Sequence, residues 1–146
     1  MPKILISSDY HLKFSAQFDR LTENNLPSRL EEIITSVKWA ADLGKKHKAT
    51  VFIGGGDIFD TSEKLNTKEG LAIMDMFKYI KAKYANAFFL VGNHDQISSD
   101  YNILDLFSPI VKVFSKPSFV DVPNARLFFL PYLRDCEDVY KAMAEF

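Results

Sequence analysis

Asp57 stands where a buried strand ought to end: the apolar run Ala49 to Ile53 leads through Gly54-Gly55-Gly56 into Asp57-Ile58-Phe59-Asp60. A carboxylate beside a β-branched core cannot stay ionised and unpaired, so it calls for a cation, hydrogen-bond donors or water. Two other stretches have the same arrangement. Lys3 to Ser8 runs into Asp9-Tyr10-His11, and Ala87 to Val91 runs into Gly92-Asn93-His94-Asp95. Three strands of one sheet, each delivering Asp, His or Asn at its carboxyl end, describe a metal site. Taken singly the signals differ in weight. Asp-x-His is common by chance, and an Asp after a strand is often a turn residue. Gly56-Asp57-x-x-Asp60 is more specific, because glycine lets the backbone approach a ligand and Asp60 is spaced to support the loop that holds Asp57. An amide, an imidazole and a carboxylate in succession at Asn93-His94-Asp95 have little structural reason to be there. Carboxylate, amide and imidazole donors without thiolate suit Mn²⁺, with Mg²⁺ or Fe as lesser choices.

The elements that must position these residues follow from the intervening pattern. Lys3 to Ser7 reads as a short buried strand, and Phe14 to Pro27 as an irregular loop. Ser28-Arg29-Leu30-Glu31 has capping-box spacing and predicts a helix start. Leu30, Ile33, Ile34, Val37 and Ala41 then fall on one face, with Gly44 near the end and Lys45, Lys46 and Lys48 suiting the carboxyl end of the dipole. His47, among those cations, reads as a solvated helix end rather than a ligand. After the Ala49 to Ile53 strand and a polar loop over Thr61 to Asn66, Thr67 to Lys83 predicts a second helix whose stripe is Leu71, Ile73, Met74, Phe77 and Ile80. Ala87 to Val91 is the third strand.

Strand, helix, strand, helix, strand calls for an α/β fold with a mostly parallel sheet. Beyond it, Asn102 to Phe107 predicts a short helix. Val111–Phe114, Phe119–Val122 and Arg126–Leu130 read as short strands separated by turns at Pro117 and Pro123-Asn124. Asp135 is a suitable N-cap for a last helix over Glu137–Phe146. There is no internal repeat and no low-complexity segment.

The 146 residues suit one domain, 1–146, with a genuine core. Eighteen Lys and Arg against nineteen Asp and Glu leave a charge of −1, so no global basic footprint marks nucleic-acid binding. A local patch could still serve, and Lys13, Arg20, Lys64 and Lys68 lie near the site motifs. The lone Cys136 excludes an internal disulfide and fits a reducing compartment. No apolar stretch approaches a membrane span. A soluble, cytoplasmic protein without a membrane partner is expected.

The three motifs together resemble those of the calcineurin-like metallophosphoesterase superfamily: Asp-x-His, Gly-Asp-x-x-Asp and Gly-Asn-His-Asp. Within it the chain looks most similar to the Mre11/SbcD nuclease family, through Phe59 in Gly-Asp-Ile-Phe-Asp-Thr, the Arg29/Glu31 helix start and Phe129-Leu130-Pro131-Tyr132-Leu133-Arg134. The resemblance spans Ile4 to about Asp135. It implies a sandwich with a mostly parallel sheet flanked by helices, holding two divalent ions. Asp9 and His11 would bind the first, Asp57 would bridge both and Asn93 would bind the second. His94 would act on the phosphate or leaving oxygen, oriented by Asp95, with Asp60 in support. The activity implied is Mn²⁺-dependent exonuclease and endonuclease cleavage of DNA in repair, recombination or phage replication. An SbcC/Rad50-like ATPase would be the partner, and a homodimer is possible.

Tyr10 and Gly54-Gly55 depart from the residues usual at those positions. More consequential, the family's later lone His and Gly-His-x-His have no counterpart after His94; the three histidines are His11, His47 and His94. The expectation is therefore the N-terminal part of a longer nuclease, truncated before the last metal-binding histidines and poorly active alone. Its second ion would bind weakly, and one apolar sheet face, built from Val51-Phe52-Ile53 and Phe88-Phe89-Leu90, would lie uncovered. Two other classes stay open: a different phosphoesterase of the superfamily, acting on a nucleotide or phosphoprotein, and a non-catalytic scaffold with an incomplete site.

Overall fold

The computed structural model describes residues 2–12, 19–60, 66–98 and 101–144. Strands β1 (Ile4–Ser7), β2 (Val51–Gly54), β3 (Asn86–Leu90) and β4 (Lys112–Phe114) form one sheet in the order β1-β2-β3-β4. Every pairing is parallel, with Ile4 opposite Val51, Val51 opposite Asn86 and Phe88 opposite Lys112. Parallel neighbours need crossover connections. Helix α1 (Ser28–Lys46), helix α2 (Thr67–Lys83) and a 3₁₀ turn (Ile103–Phe107) supply them. All three pack in one core with Phe52, Ala87 and Phe89, so they share one sheet face. Phe52, Phe77, Phe89 and Phe107 are each at most 2% exposed, and burial of such a ring contributes about 1.5–3 kcal/mol.

The other face is not bare. Strands β5 (Ser118–Val122) and β6 (Ala125–Phe129) make an antiparallel hairpin. Its Val120, Val122 and Phe129 cover Val51, Ile53, Phe88 and Phe114. The expectation of an uncovered face is thus corrected: of the residues it named, Phe52 and Phe89 face the helices, and Val51, Ile53 and Phe88 lie under the hairpin. Ile6, on edge strand β1, does remain 66% exposed. Helix α3 (Cys136–Ala144) follows Asp135, and Cys136 is exposed. No helix among the described residues is long and apolar enough to cross a membrane.

Two helix starts differ from expectation. Ser28 does not cap α1 through its own helix. Its hydroxyl donates to Asp19, which also accepts the Arg29 N–H at 3.0 Å, while Glu31 accepts from Asn24. The reciprocal box belongs to α2: Asn66 accepts the Glu69 N–H at 3.1 Å and Glu69 reaches back to the Asn66 N–H. The buried face of α2 runs through Glu69, Ile73, Met76, Phe77 and Ile80. Leu71, placed on that stripe by the sequence, is 54% exposed.

Tyr10 is 7% exposed and its hydroxyl has no hydrogen-bond partner of adequate geometry. Burial pushes the phenol from 10.0 up to about 12, and nearby Ser7 moderates the shift. The folded state therefore favours the neutral phenol. That contribution is fully present below about pH 10 and is lost as pH rises through about 12. Tyr10→Phe should unfold less steeply with alkali than the wild type, by roughly 2–3 kcal/mol at pH 12, measured by urea titration at successive pH values. Parallel pH profiles for the two proteins would refute it.

Candidate metal centre

Beyond β1 and β2 the two chains stay zipped. Gly55 N–H donates to Ser7, Asp9 N–H to Gly56, His11 N–H to Asp57 and Leu12 N–H to Ile58, at 2.9–3.1 Å. Parallel pairing therefore continues past the strands and holds the first two motifs side by side. Asp9, His11 and Asp57 all have positive φ, at 57°, 46° and 49°. Side chains rarely accept that conformation, and it persists where surrounding structure enforces it. Its consequence is convergence: ligand atoms of Asp9, His11 and Asp57 lie within 4.8 Å of one another.

The third motif closes on the second. Asp57 Oδ1 accepts the His94 backbone N–H at 3.0 Å. The Asp57 carboxylate lies so near Gly92 that a Cβ there would stand 2.1 Å from Asp57 Oδ1. His94's ring meets that of His11 edge-on, with centroids 5.0 Å apart. Asp60 Oδ1 is 4.0 Å from Nδ1 of both imidazoles. His11, Asp60 and His94 form a second group of potential ligands within 4.8 Å.

Asp95 takes another role than the one expected. It is fully buried, its Oδ1 accepts the Phe59 N–H at 2.9 Å and its Oδ2 the Gly92 N–H at 2.8 Å. Burial pushes its carboxyl above the ordinary range, and those backbone donors partly offset this. It clamps the second motif's loop to the third's instead of orienting His94; the carboxylate beside that imidazole is Asp60. Nothing in Asn-His-Asp indicates this, because the donor that Asp95 meets, the Phe59 N–H, lies 36 residues away in the chain.

Asn93 is exposed and lines one cavity of about 210 Å³ with Asp9 and Asp57. Its far wall is Leu130-Pro131-Tyr132, brought there by a Tyr132 N–H bond to Val91 O at 2.9 Å. That wall lies outside the site residues the sequence predicts, and its signal is the Leu130-Pro131-Tyr132 run itself. Arg134 Nε donates to Gln96 at 3.3 Å beside the same loop. Of the cations considered for DNA, Arg20 and Lys68 are exposed, while Lys13 and Lys64 lie outside the described residues. His47 is the exposed carboxyl cap of α1 and belongs to neither group of potential ligands.

The donor set fits a divalent ion: hard carboxylate oxygens and imidazole nitrogen, clustered and open to solvent on the Asp9 side. The model of the calcineurin-like phosphoesterase family matches residues 2–141. The chain belongs to that family. This calcineurin-like phosphoesterase is also similar to exonuclease subunit 1 of Enterobacteria phage T4, with 26% identity over 143 residues. That match covers 93% of this chain and 39% of the relative, so the chain spans 39% of that relative's length. Membership agrees with the α/β fold of parallel sheet and flanking helices, and with divalent-metal hydrolysis of phosphoesters.

Proposed function

We propose that the chain is the phosphodiester-cleaving domain of a Mn²⁺-dependent DNA exonuclease and endonuclease subunit of Mre11/SbcD type, serving repair, recombination or phage replication. The observation that carries this reading is the convergence of three strand-end motifs on one open cavity, with Asp57 in contact with both neighbours. Similarity to a phage exonuclease subunit supports DNA as substrate, and the word subunit supports a partner, which we take to be an SbcC/Rad50-like ATPase.

Asp9, His11 and Asp57 would hold one ion, and Asp57 and Asn93 would help to hold another. When bound, the ions supply positive charge to the phosphate and lower the pKa of water in the cavity. The chain's own residues do the rest. His94, in its protonated form, stands to donate to the departing oxygen, with the Asp60 carboxylate 4.0 Å from its Nδ1. The zipped backbones of the first two motifs fix the carboxylates before substrate arrives, so little reorganisation accompanies binding.

The test sets linear duplex DNA, bis(4-nitrophenyl) phosphate and 4-nitrophenyl phosphate beside one another with Mn²⁺, for the wild type and Asp57→Asn. Cleavage of DNA and the diester by the wild type alone is expected. Turnover of the monoester only would point to a different phosphoesterase, and turnover of none to a scaffold.

A further inference from the structure

A second cleft, of about 450 Å³, lies between the end of β1 and the first turns of α1. Its size falls in the range of small-ligand sites, roughly 300–1,000 Å³. Asp9 lines both this cleft and the metal cavity, so the two share one candidate ligand as an edge. Ile33, Val37 and Tyr10 give it an apolar wall, and Arg29 and Glu32 stand among its polar lining. Arg29 is exposed, and its guanidinium has no carboxylate partner among the described residues. A cation without a partner, an apolar wall and a shared edge with a phosphate-processing site match the parts of a nucleotide: phosphate, base and the adjoining phosphodiester.

We propose that this cleft is the subsite for the nucleotide next to the scissile phosphate, with Arg29 binding that nucleotide's own phosphate. This rests on the nuclease reading and extends it. Guanidinium is suited to the task because its fork matches two phosphate oxygens at once. The base would lie against the apolar side formed by Ile33, Val37 and Tyr10, with Ser7, Glu32 and Ser36 also in the lining.

The proposal is tested by equilibrium binding of a short fluorescein-labelled single-stranded oligonucleotide without divalent metal, read by anisotropy over a range of salt. Arg29→Ala should weaken binding about tenfold and reduce the slope of log affinity against log salt by about 0.7, the loss of one phosphate contact. Arg29→Lys should keep the slope and most of the affinity. Because Arg29 is exposed, both variants should melt with the wild type. Unchanged affinity and slope in Arg29→Ala would overturn the proposal, as would an Arg29→Lys loss equal to that of alanine. Wild-type hydrolysis of bis(4-nitrophenyl) phosphate is measured separately. Its absence would defeat the nuclease reading, whereas the oligonucleotide slope decides the subsite.

Discussion

Gly92→Ala should abolish metal binding while lowering stability by about 2–3 kcal/mol, a typical cost of forcing an extra methyl into a filled space. An alanine Cβ would stand 2.1 Å from Asp57 Oδ1 and 2.3 Å from Asp57 N, where no real contact survives. The neighbour cannot yield cheaply. Asp57 N and Cα belong to the backbone zipped to His11, and the Gly92 N–H is itself bound to Asp95. Either the Asp57 carboxylate leaves the cluster or the two loops part. Isothermal calorimetry with Mn²⁺ and a thermal melt read the two consequences together. An alanine variant that bound metal like the wild type would mean the close approach of Gly92 to Asp57 is not what positions the carboxylate.

Asp95→Ala should cost more stability than any other single change at the site, about 3 kcal/mol. Removing the carboxylate leaves the buried N–H of Phe59, at about 1–3 kcal/mol, and the part-buried N–H of Gly92, at somewhat less, without an acceptor. Relief from burying the carboxylate offsets part of this, in keeping with the upward shift of its pKa by desolvation. For a chain of this size the net loss corresponds to a melting point lower by about 6–12 °C. Asp95→Asn should lose less, since its amide oxygen still serves one donor. A melting point for Asp95→Ala within ~1 °C of the wild type would show that the two loops do not depend on this clamp.

The sequence made the strand ends legible because apolar runs broken by Gly-Asp or Gly-Asn-His are local signals. Chemistry at those ends was equally local: Asp9, His11, Asp57 and Asn93 are read from type and spacing, and the fold gathers them. What escaped reading depends on partners far along the chain. Ser28 and Glu31 have the spacing of a capping box, yet Asp19 and Asn24 from the preceding loop take their hydrogen bonds. Asn66-x-x-Glu69 carries the same spacing at the end of a polar stretch, and there the box does form. Leu71 fits a helical stripe by period, but the sheet meets α2 on a face turned toward Met76. The hairpin's strands were visible through Pro117 and Pro123-Asn124, while its place over Val51, Ile53 and Phe88 follows from sheet packing alone. Asp95 and Asp60 exchange their expected parts for a similar reason. Which carboxylate meets an imidazole and which meets backbone N–H groups is decided by how two loops distant in the chain are pressed together.

The most direct test of the central claim, that the three strand ends form one metal centre in this chain, is calorimetric titration of the wild type and Asp57→Asn with Mn²⁺. Saturable binding by the wild type and at least ~100-fold weaker binding by the variant are expected, more than the loss typical of a residue that only supports a ligand. Asn retains an oxygen for the His94 N–H, so the variant should stay folded. Equal affinities in the two proteins, with both folded, would contradict it, because the carboxylate at the junction of all three motifs would then hold nothing.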